Sequence, residues 1–285
     1  MNAQVPVIGA IDELRRYVRA HRDAGERIGL VPTMGALHAG HLSLVEAARR
    51  VADRVIVTIF VNPAQFGPNE DFARYPRTLA ADVEKLSSVV TDLVFAPSVE
   101  EIYPPGFATK VMMDGPARAD LEDRFRPTHF SGVATVVTKL LNQAHADVAV
   151  FGEKDYQQLM VIKRLARDLD IATEILGAPT LREADGLAMS SRNVYLSPEE
   201  RERAKELCAA LREAARRILN GDDMGATTAN ARAALAEAGF DVDYLEARNA
   251  ETLASVETLD DGPIRLLAAA KLGATRLIDN IAVEP

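Results

Sequence analysis

The chain has 285 residues, of which 48% are hydrophobic and 26% charged, and a formal net charge of -9. This is the balance of a soluble globular protein with room for a sizeable core, and its acidity argues against non-specific attraction to nucleic acid or an anionic membrane. A single cysteine excludes an internal disulfide and a Cys-rich metal framework. No apolar run approaches the ~20 residues that cross a bilayer. The opening "MNAQVPVIGAIDELRR" lacks the basic-then-apolar order of a secretory signal, so a cytoplasmic location is the default expectation.

In chain order, "IDELRRYVRAHRDAG" places Leu14, Tyr17, Val18 and His21 at helical spacing, with Asp12 as a candidate cap and Gly25 as a stop. "RIGLVPT" reads as a short buried strand and "HLSLVEAARRVAD" as a helix with Leu42, Val45 and Ala48 on one side. "RVIVTIFVNP" is nearly continuous β-branched sequence, the mark of a strand covered on both faces. A helix "LAADVEKLSSVV", a strand "TDLVFAP", a helix "GVATVVTKLLNQAHA", a strand "DVAVF", a helix "YQQLMVIKRLARDL" and a strand "IATEIL" follow. This alternation predicts parallel βαβ units. After about residue 178 the texture changes. "SPEERERAKELCAALREAARRILNG" predicts one helix to Gly221, with Ser197 as N-cap, Pro198 at the first helical position and Glu200 closing a capping box. Cys208 falls on its buried face. A second helix over roughly Ala226 to Ala238 precedes "VDYLEARN", "IRLLAAAKL" and "TRLIDNIAVE", the last two an antiparallel pair about Gly273. The expected fold class is α/β: a Rossmann-like parallel sheet over residues 1–178 and a smaller α+β C-terminal domain over 179–285.

In parallel sheets ligands gather at the carboxyl ends of strands, and there the chemistry-bearing segments fall. "VPTMGALHAGHL" sets His38 and His41, two of five histidines, at the start of a helix behind a Gly-containing loop. The N–H groups and dipole of such a terminus suit a phosphate, Gly40 removes a Cβ where phosphate comes close, and the histidines can donate to its oxygens. A capping loop, or a two-histidine metal site lacking a third ligand, are the alternatives. "FGEKDYQQ" offers Gly152 for close approach, Lys154 as a compact charge and Asp155 as cap or hydroxyl partner; a solvated turn explains it equally. Of Gln157 and Gln158, at most one faces a site. "GLAMSSRNVYLSP" concentrates Ser190, Ser191 and Arg192, suited to triphosphate oxygens or to a Ser-rich surface turn. The loop "FVNPAQFGPNEDFARYPRT" holds Gln65, a neutral donor and acceptor, and Asn62, which holds the turn before Pro63 or joins the site. In "RPTHFSGV", which also carries His129, Ser131 reads as a helix cap.

Together "VPTMGALHAGH", "IFVNPAQFG", "YPRT", "RPTHFSGV", "FGEKDYQQL", "READGLAMSSRN" and "TRLIDNIA" closely resemble the pantothenate synthetases, or pantoate–β-alanine ligases. "HAGH" is similar to the HxGH element of the wider nucleotidyltransferase superfamily and "MSSRN" to its mobile second motif. The resemblance implies ATP-dependent condensation of pantoate with β-alanine through a pantoyl adenylate, releasing pyrophosphate and AMP. It implies an ATP site on Met34, Gly35, Ala36, Leu37, His38, Ala39, Gly40 and His41, on Gly152, Glu153, Lys154 and Asp155, on Leu181, and on Met189, Ser190, Ser191 and Arg192. His41 matches the assigned proton donor, with His38, Lys154 and Arg192 assisting. Gln65 and Gln158 match pantoate contacts, Gln65 also borders the β-alanine position, and Asn62 joins this substrate group. Magnesium accompanies the triphosphate; Asp82, expected on an exposed helix face, is the candidate contact. The resemblance also implies a homodimer and a C-terminal lid. A superfamily nucleotidyltransferase that releases its nucleotidylated product, or a non-catalytic nucleotide-binding module, are the competing functions.

Overall fold

The computed structural model describes residues 4–68 and 70–284. The chain divides into two compact units: Met1–Glu153 with Val161–Pro179, and Lys154–Met160 with Thr180–Pro285. The break thus falls one residue beyond the expected 178/179 boundary. The short stretch 154–160 groups with the C-terminal unit although it opens a helix that finishes in the first, which periodicity cannot reveal.

In the first unit, strands β1 (Val7–Ile8), β2 (Ile28–Thr33), β3 (Arg54–Ile59), β4 (Leu93–Phe95), β5 (Val148–Gly152) and β6 (Glu174–Ala178) form one sheet in the order β1-β4-β3-β2-β5-β6. Every pairing is parallel. Strand order reverses between β2 and β5, so their carboxyl ends flank the crevice that open α/β sheets use for ligands. Val31, Val55, Val57, Val94, Val148 and Val150 fill one side together with Leu44, Val45 and Ala48 of helix α2 (Ala39–Arg49). The remaining helices of this unit are α1 (Ile11–Asp23), α3 (Leu79–Leu86), the single turns α4 (Val99–Ile102) and α5 (Glu122–Phe125), and α6 (His129–Ala144); α7 (Tyr156–Asp168) follows β5.

Some local expectations change. Ala10, not Asp12, occupies the N-cap position of α1, and Asp12 sits within the first turn. Ser131 is not the cap of α6: the helix starts two residues earlier, and the Ser131 hydroxyl donates to the Val111 carbonyl at 3.0 Å. In the second unit the long helix predicted from Ser197 to Gly221 is two helices, α8 (Pro198–Ala204) and α9 (Glu206–Leu219), meeting at Lys205. The Ser197 capping box forms as expected, with Glu200 N–H donating to Ser197 Oγ at 3.2 Å and Ser197 N–H to Glu200 Oε2 at 2.8 Å. Helices α9 and α10 (Met224–Glu237) pack on an antiparallel sheet, β7 (Asp241–Asn249), β8 (Ile264–Leu272) and β9 (Thr275–Val283). Its core joins Leu207, Leu211 and Ile218 of α9 to Leu266, Ala268, Ala270 and Leu277 of the sheet. Cys208 is buried on α9. Among the described residues no helix is long and apolar enough to cross a membrane.

Candidate active site

The loop between β2 and α2 carries the two histidines. His38 is the N-cap of α2, and its Nδ1 accepts the Gly40 N–H at 3.1 Å; His41 Nδ1 accepts the His38 N–H at 3.3 Å. A backbone N–H can only donate, so each neutral imidazole must carry its proton on Nε2. The rings lie 4.1 Å apart at 49°. One turn of helix therefore holds two imidazoles in fixed orientations at the switch point of the sheet.

The loop's backbone is less available than a bare helix terminus suggests. Gly35 N–H donates to Thr33 Oγ1, Ala36 and Leu37 N–H donate to the Asp82 carboxylate, and His41 N–H donates to the His38 carbonyl. These amides are therefore already engaged within the loop and with α3. The loop turns through two left-handed residues, Gly35 at φ 82° and Ala36 at φ 52°. Such a conformation costs a non-glycine residue on the order of 1 kcal/mol, and Asp82 holds it in place.

The expected exposure of Asp82 is corrected. The residue has no solvent exposure and does not lie on an exposed helix face. Its Oδ1 accepts the Leu37 N–H at 2.8 Å, and its Oδ2 accepts the Ala36 N–H and the Thr78 hydroxyl, each at 3.0 Å. A carboxylate engaged by three donors inside the protein does not fit a magnesium ligand. Among the described residues no group of three or more His, Cys, Asp or Glu could hold a metal ion. One turn along α3, Lys85 Nζ donates to the Leu37 carbonyl at 2.6 Å, so α3 grips the histidine loop by both polarities.

The second element beside this loop follows β3. Thr33 of β2 pairs with Ile59 of β3, so the two strands release their loops side by side. Asn62 and Gln65, both buried, stand there, and Gln65 Nε2 donates to Met34 Sδ at 3.3 Å. The Gln65 carbonyl is bonded to His129 Nδ1 at 3.0 Å, and His129 Nε2 is 3.2 Å from the Arg126 guanidinium. Arg126 is paired with Glu70 at 2.6 and 2.9 Å. Burial, then the nearby Arg126 charge, push His129 down to about 4. It is thus neutral at physiological pH, with Nδ1–H donating to Gln65 and Nε2 accepting from Arg126. Gly152, where β5 ends, and Glu153 complete the expected ligand positions in this unit.

The other expected positions lie in the second unit. Leu181 and Met189 are brought together by a short hairpin in which Met189 N–H donates to the Leu181 carbonyl at 3.0 Å and Arg182 bridges Ala188. Ser190 then caps a 3-10 turn, Ser191–Tyr195, its Oγ accepting the Arg192 N–H at 3.2 Å. Arg182 joins this hairpin to the sheet, its guanidinium donating to both oxygens of buried Asp279 at 2.6 and 2.9 Å. Burial works against that guanidinium's charge, but the Asp279 hydrogen bonds prevail and raise its pKa. The next residue, Asn280, donates from Nδ2 to the Lys154 carbonyl at 2.9 Å. Tyr156 is held by a hydroxyl bond to the Ala250 carbonyl at 3.0 Å and by the Arg265 guanidinium 4.1 Å over its ring. Arg182, Asp279 and Asn280 thus tie the hairpin before Ser190–Arg192 to the turn carrying Lys154 and Asp155. On α7, Gln157 is buried and Gln158 half-buried.

Sequence reading missed Lys85, Tyr103, whose hydroxyl donates to Asn62 Oδ1 at 2.7 Å, Gly132, whose carbonyl accepts from Asn62 Nδ2 at 3.2 Å, and the Arg182–Asp279–Asn280 link. A glycine inside an otherwise helical run was the one available signal, for Gly132; "TRLIDNIA" was recognisable as a motif without a role.

The family model described as pantoate-beta-alanine ligase matches residues 6–282. A pantothenate synthetase from Rhodopseudomonas palustris is 56% identical over 279 residues, covering 98% of this chain and 99% of the relative. The crystal structure of pantothenate synthetase from Thermus thermophilus matches with a TM-score of 0.93 at 45% identity, covering 99% of this chain and 100% of that one. The pantoate-beta-alanine ligase from Francisella tularensis, solved with beta-gamma ATP and beta-alanine, matches with a TM-score of 0.79 at 36% identity over 99% and 98% of the two chains. The chain belongs to the pantoate–β-alanine ligase family.

Proposed function

We propose that this chain joins pantoate to β-alanine in two steps at the expense of ATP. A pantoate carboxylate oxygen attacks the α-phosphorus, a P–O bond forms, and the bond to the leaving pyrophosphate breaks. The β-alanine amine then attacks the carbonyl carbon of the pantoyl adenylate. The C–O bond breaks, AMP leaves with the former carboxylate oxygen, and the amine loses a proton. The order is physical: a free carboxylate resists an amine, whereas a mixed anhydride with AMP does not, provided water is kept from it.

The observation that carries this reading is the pair of imidazoles oriented by backbone N–H groups at the start of α2, on the loop whose Met34 is contacted by Gln65. Negative charge grows on phosphate oxygens as the carboxylate attacks, and oriented donors stabilise growing charge more than ground-state charge. His41 acts as the principal donor and His38 assists. Lys154, Ser190, Ser191 and Arg192 supply charge and hydroxyl donors for the triphosphate. Leu181 and Met189 supply backbone and apolar contact to the nucleotide. Gln65 and Gln158 hold pantoate, and Gln65 borders the β-alanine position. Magnesium belongs with the triphosphate, which can hold it through phosphate oxygens and water, and Asp82 takes no part in binding it. We also read the second unit as a lid and the protein as a cytoplasmic homodimer.

An assay with pantoate, ATP, magnesium and β-alanine, omitting each in turn, tests the reading. Pyrophosphate release should require pantoate, and AMP release should require β-alanine as well. Full turnover with another acid and none with pantoate would overturn it. A nucleotidyltransferase that releases its nucleotidylated product would show no β-alanine dependence, and a binding module would release no pyrophosphate.

A further inference from the structure

We propose that Asn62 and Tyr103 are positioning residues that fix the polarity of the Gln65 amide, so that Gln65 meets the acid substrate as a hydrogen-bond donor; this rests on reading Gln65 as a pantoate contact. Two backbone groups with unexchangeable roles set Asn62. The Ala64 N–H donates to Asn62 Oδ1 at 3.2 Å, and the Gly132 carbonyl accepts from Asn62 Nδ2 at 3.2 Å. Oxygen and nitrogen of this amide therefore cannot trade places without setting donor against donor and acceptor against acceptor. The Tyr103 hydroxyl donates to the same Oδ1 at 2.7 Å. Burial pushes that phenol up to about 12, so it keeps its proton. Phe60 and Phe107 lie beside its ring, with centroids at 6.2 and 5.1 Å.

The polarity passes on. Asn62 Nδ2 also donates to Gln65 Oε1 at 3.0 Å, so the Gln65 oxygen is committed to the protein side. Its Nε2 is left turned toward the histidine loop, where its partner is the thioether of Met34. Sulfur of that kind is a weak acceptor, and a carboxylate or hydroxyl oxygen replaces it at little cost. The opposite orientation would aim a carbonyl oxygen at the pantoate carboxylate, acceptor against acceptor. Asn62 is itself 1% exposed, and its four contacts leave it facing Gln65 and the backbone.

Steady-state constants for three variants test this. Tyr103→Phe should raise KM for pantoate about fivefold to tenfold, the scale of one neutral hydrogen bond. KM for ATP and β-alanine, kcat and the urea midpoint should stay close to those of the unaltered protein. Asn62→Asp keeps both acceptor contacts but gives Gln65 no donor, and should raise KM for pantoate roughly 100-fold, because a charged acceptor then faces Oε1. Gln65→Ala separates the two layers. If it leaves KM for pantoate unchanged, the assignment of Gln65 to pantoate falls. If it raises that KM while Tyr103→Phe leaves it within twofold, or moves all three Michaelis constants alike, the positioning role is overturned. Should Asn62→Asp fail to fold, Tyr103→Phe decides alone.

Discussion

Gly132 sits in the first turns of α6, where helix propensity alone favours alanine by roughly 1 kcal/mol. The structure reverses that sign. A Cβ built there would lie 2.6 Å from Gln65 Cα and 2.5 Å from the Ala64 carbonyl carbon, atoms of backbone that cannot rotate aside. Relief requires α6 and the 63–65 turn to separate, which also stretches the Asn62–Gly132 bond now at 3.2 Å. Overpacking costs about 1–3 kcal/mol and lies at the upper end against backbone, so the propensity gain is outweighed and Gly132→Ala should destabilise by about 2 kcal/mol. A displacement of Gln65 by even ~1 Å should lower kcat/KM for pantoate on the order of 100-fold. Urea unfolding and steady-state kinetics on the same preparation read both effects. A variant as stable as the original, with unchanged pantoate kinetics, would refute the close approach and the role given to the glycine.

Other outcomes follow from the same geometry. Asp82→Asn sets an amide NH2 against the Ala36 N–H and loses the charged acceptor; an unsatisfied buried donor costs about 1–3 kcal/mol. It should lower stability by about that much while leaving the magnesium concentration for half-maximal activity unchanged; a severalfold shift in that concentration would restore Asp82 as a metal contact. His129 binds its proton less readily folded, at about 4, than the ordinary 6.5. The unfolded chain therefore takes up more protons between those values, and stability, full above pH 6.5, falls as pH drops toward 4. At 1.36 kcal/mol per pH unit this is at most about 3 kcal/mol. His129→Asn should flatten that limb of the urea midpoint against pH, and an unaltered limb would contradict a neutral buried imidazole. His41→Ala should slow pantoate-dependent pyrophosphate release by roughly 100-fold or more, whereas near-normal release would remove it from the catalytic role. Lys154→Ala should impair adenylation far more than amide formation from preformed pantoyl adenylate; equal losses would point to general damage.

Much of this architecture is legible because it is local. The βα alternation, the Ser197 capping box and the two-histidine helix start are each written within about a dozen residues. What escapes is set by contacts across the chain. Asp82 looks like a surface carboxylate in "LAADVEKL", because nothing nearby says that the backbone of residues 36 and 37, over 40 positions earlier, turns into it. Tyr103 reaches Asn62 across a separation of 41, and Asn280 reaches Lys154 across 126. The helix-terminus argument singled out the 34–41 loop but assumed free amides there, whereas those of residues 36 and 37 serve Asp82 and those of His38 and Gly40 serve the two imidazoles. Nor does the continuous periodicity of α7 reveal that its first residues group with the C-terminal unit.

Oxygen tracing reports most directly on the proposed chemistry. With pantoate labelled with oxygen-18 in its carboxylate, the enzyme, ATP and β-alanine should yield AMP carrying one labelled oxygen, pyrophosphate carrying none, and pantothenate retaining the other. Unlabelled AMP alongside newly formed pantothenate, or label in an inorganic phosphate product, would contradict activation of the carboxylate at the α-phosphorus.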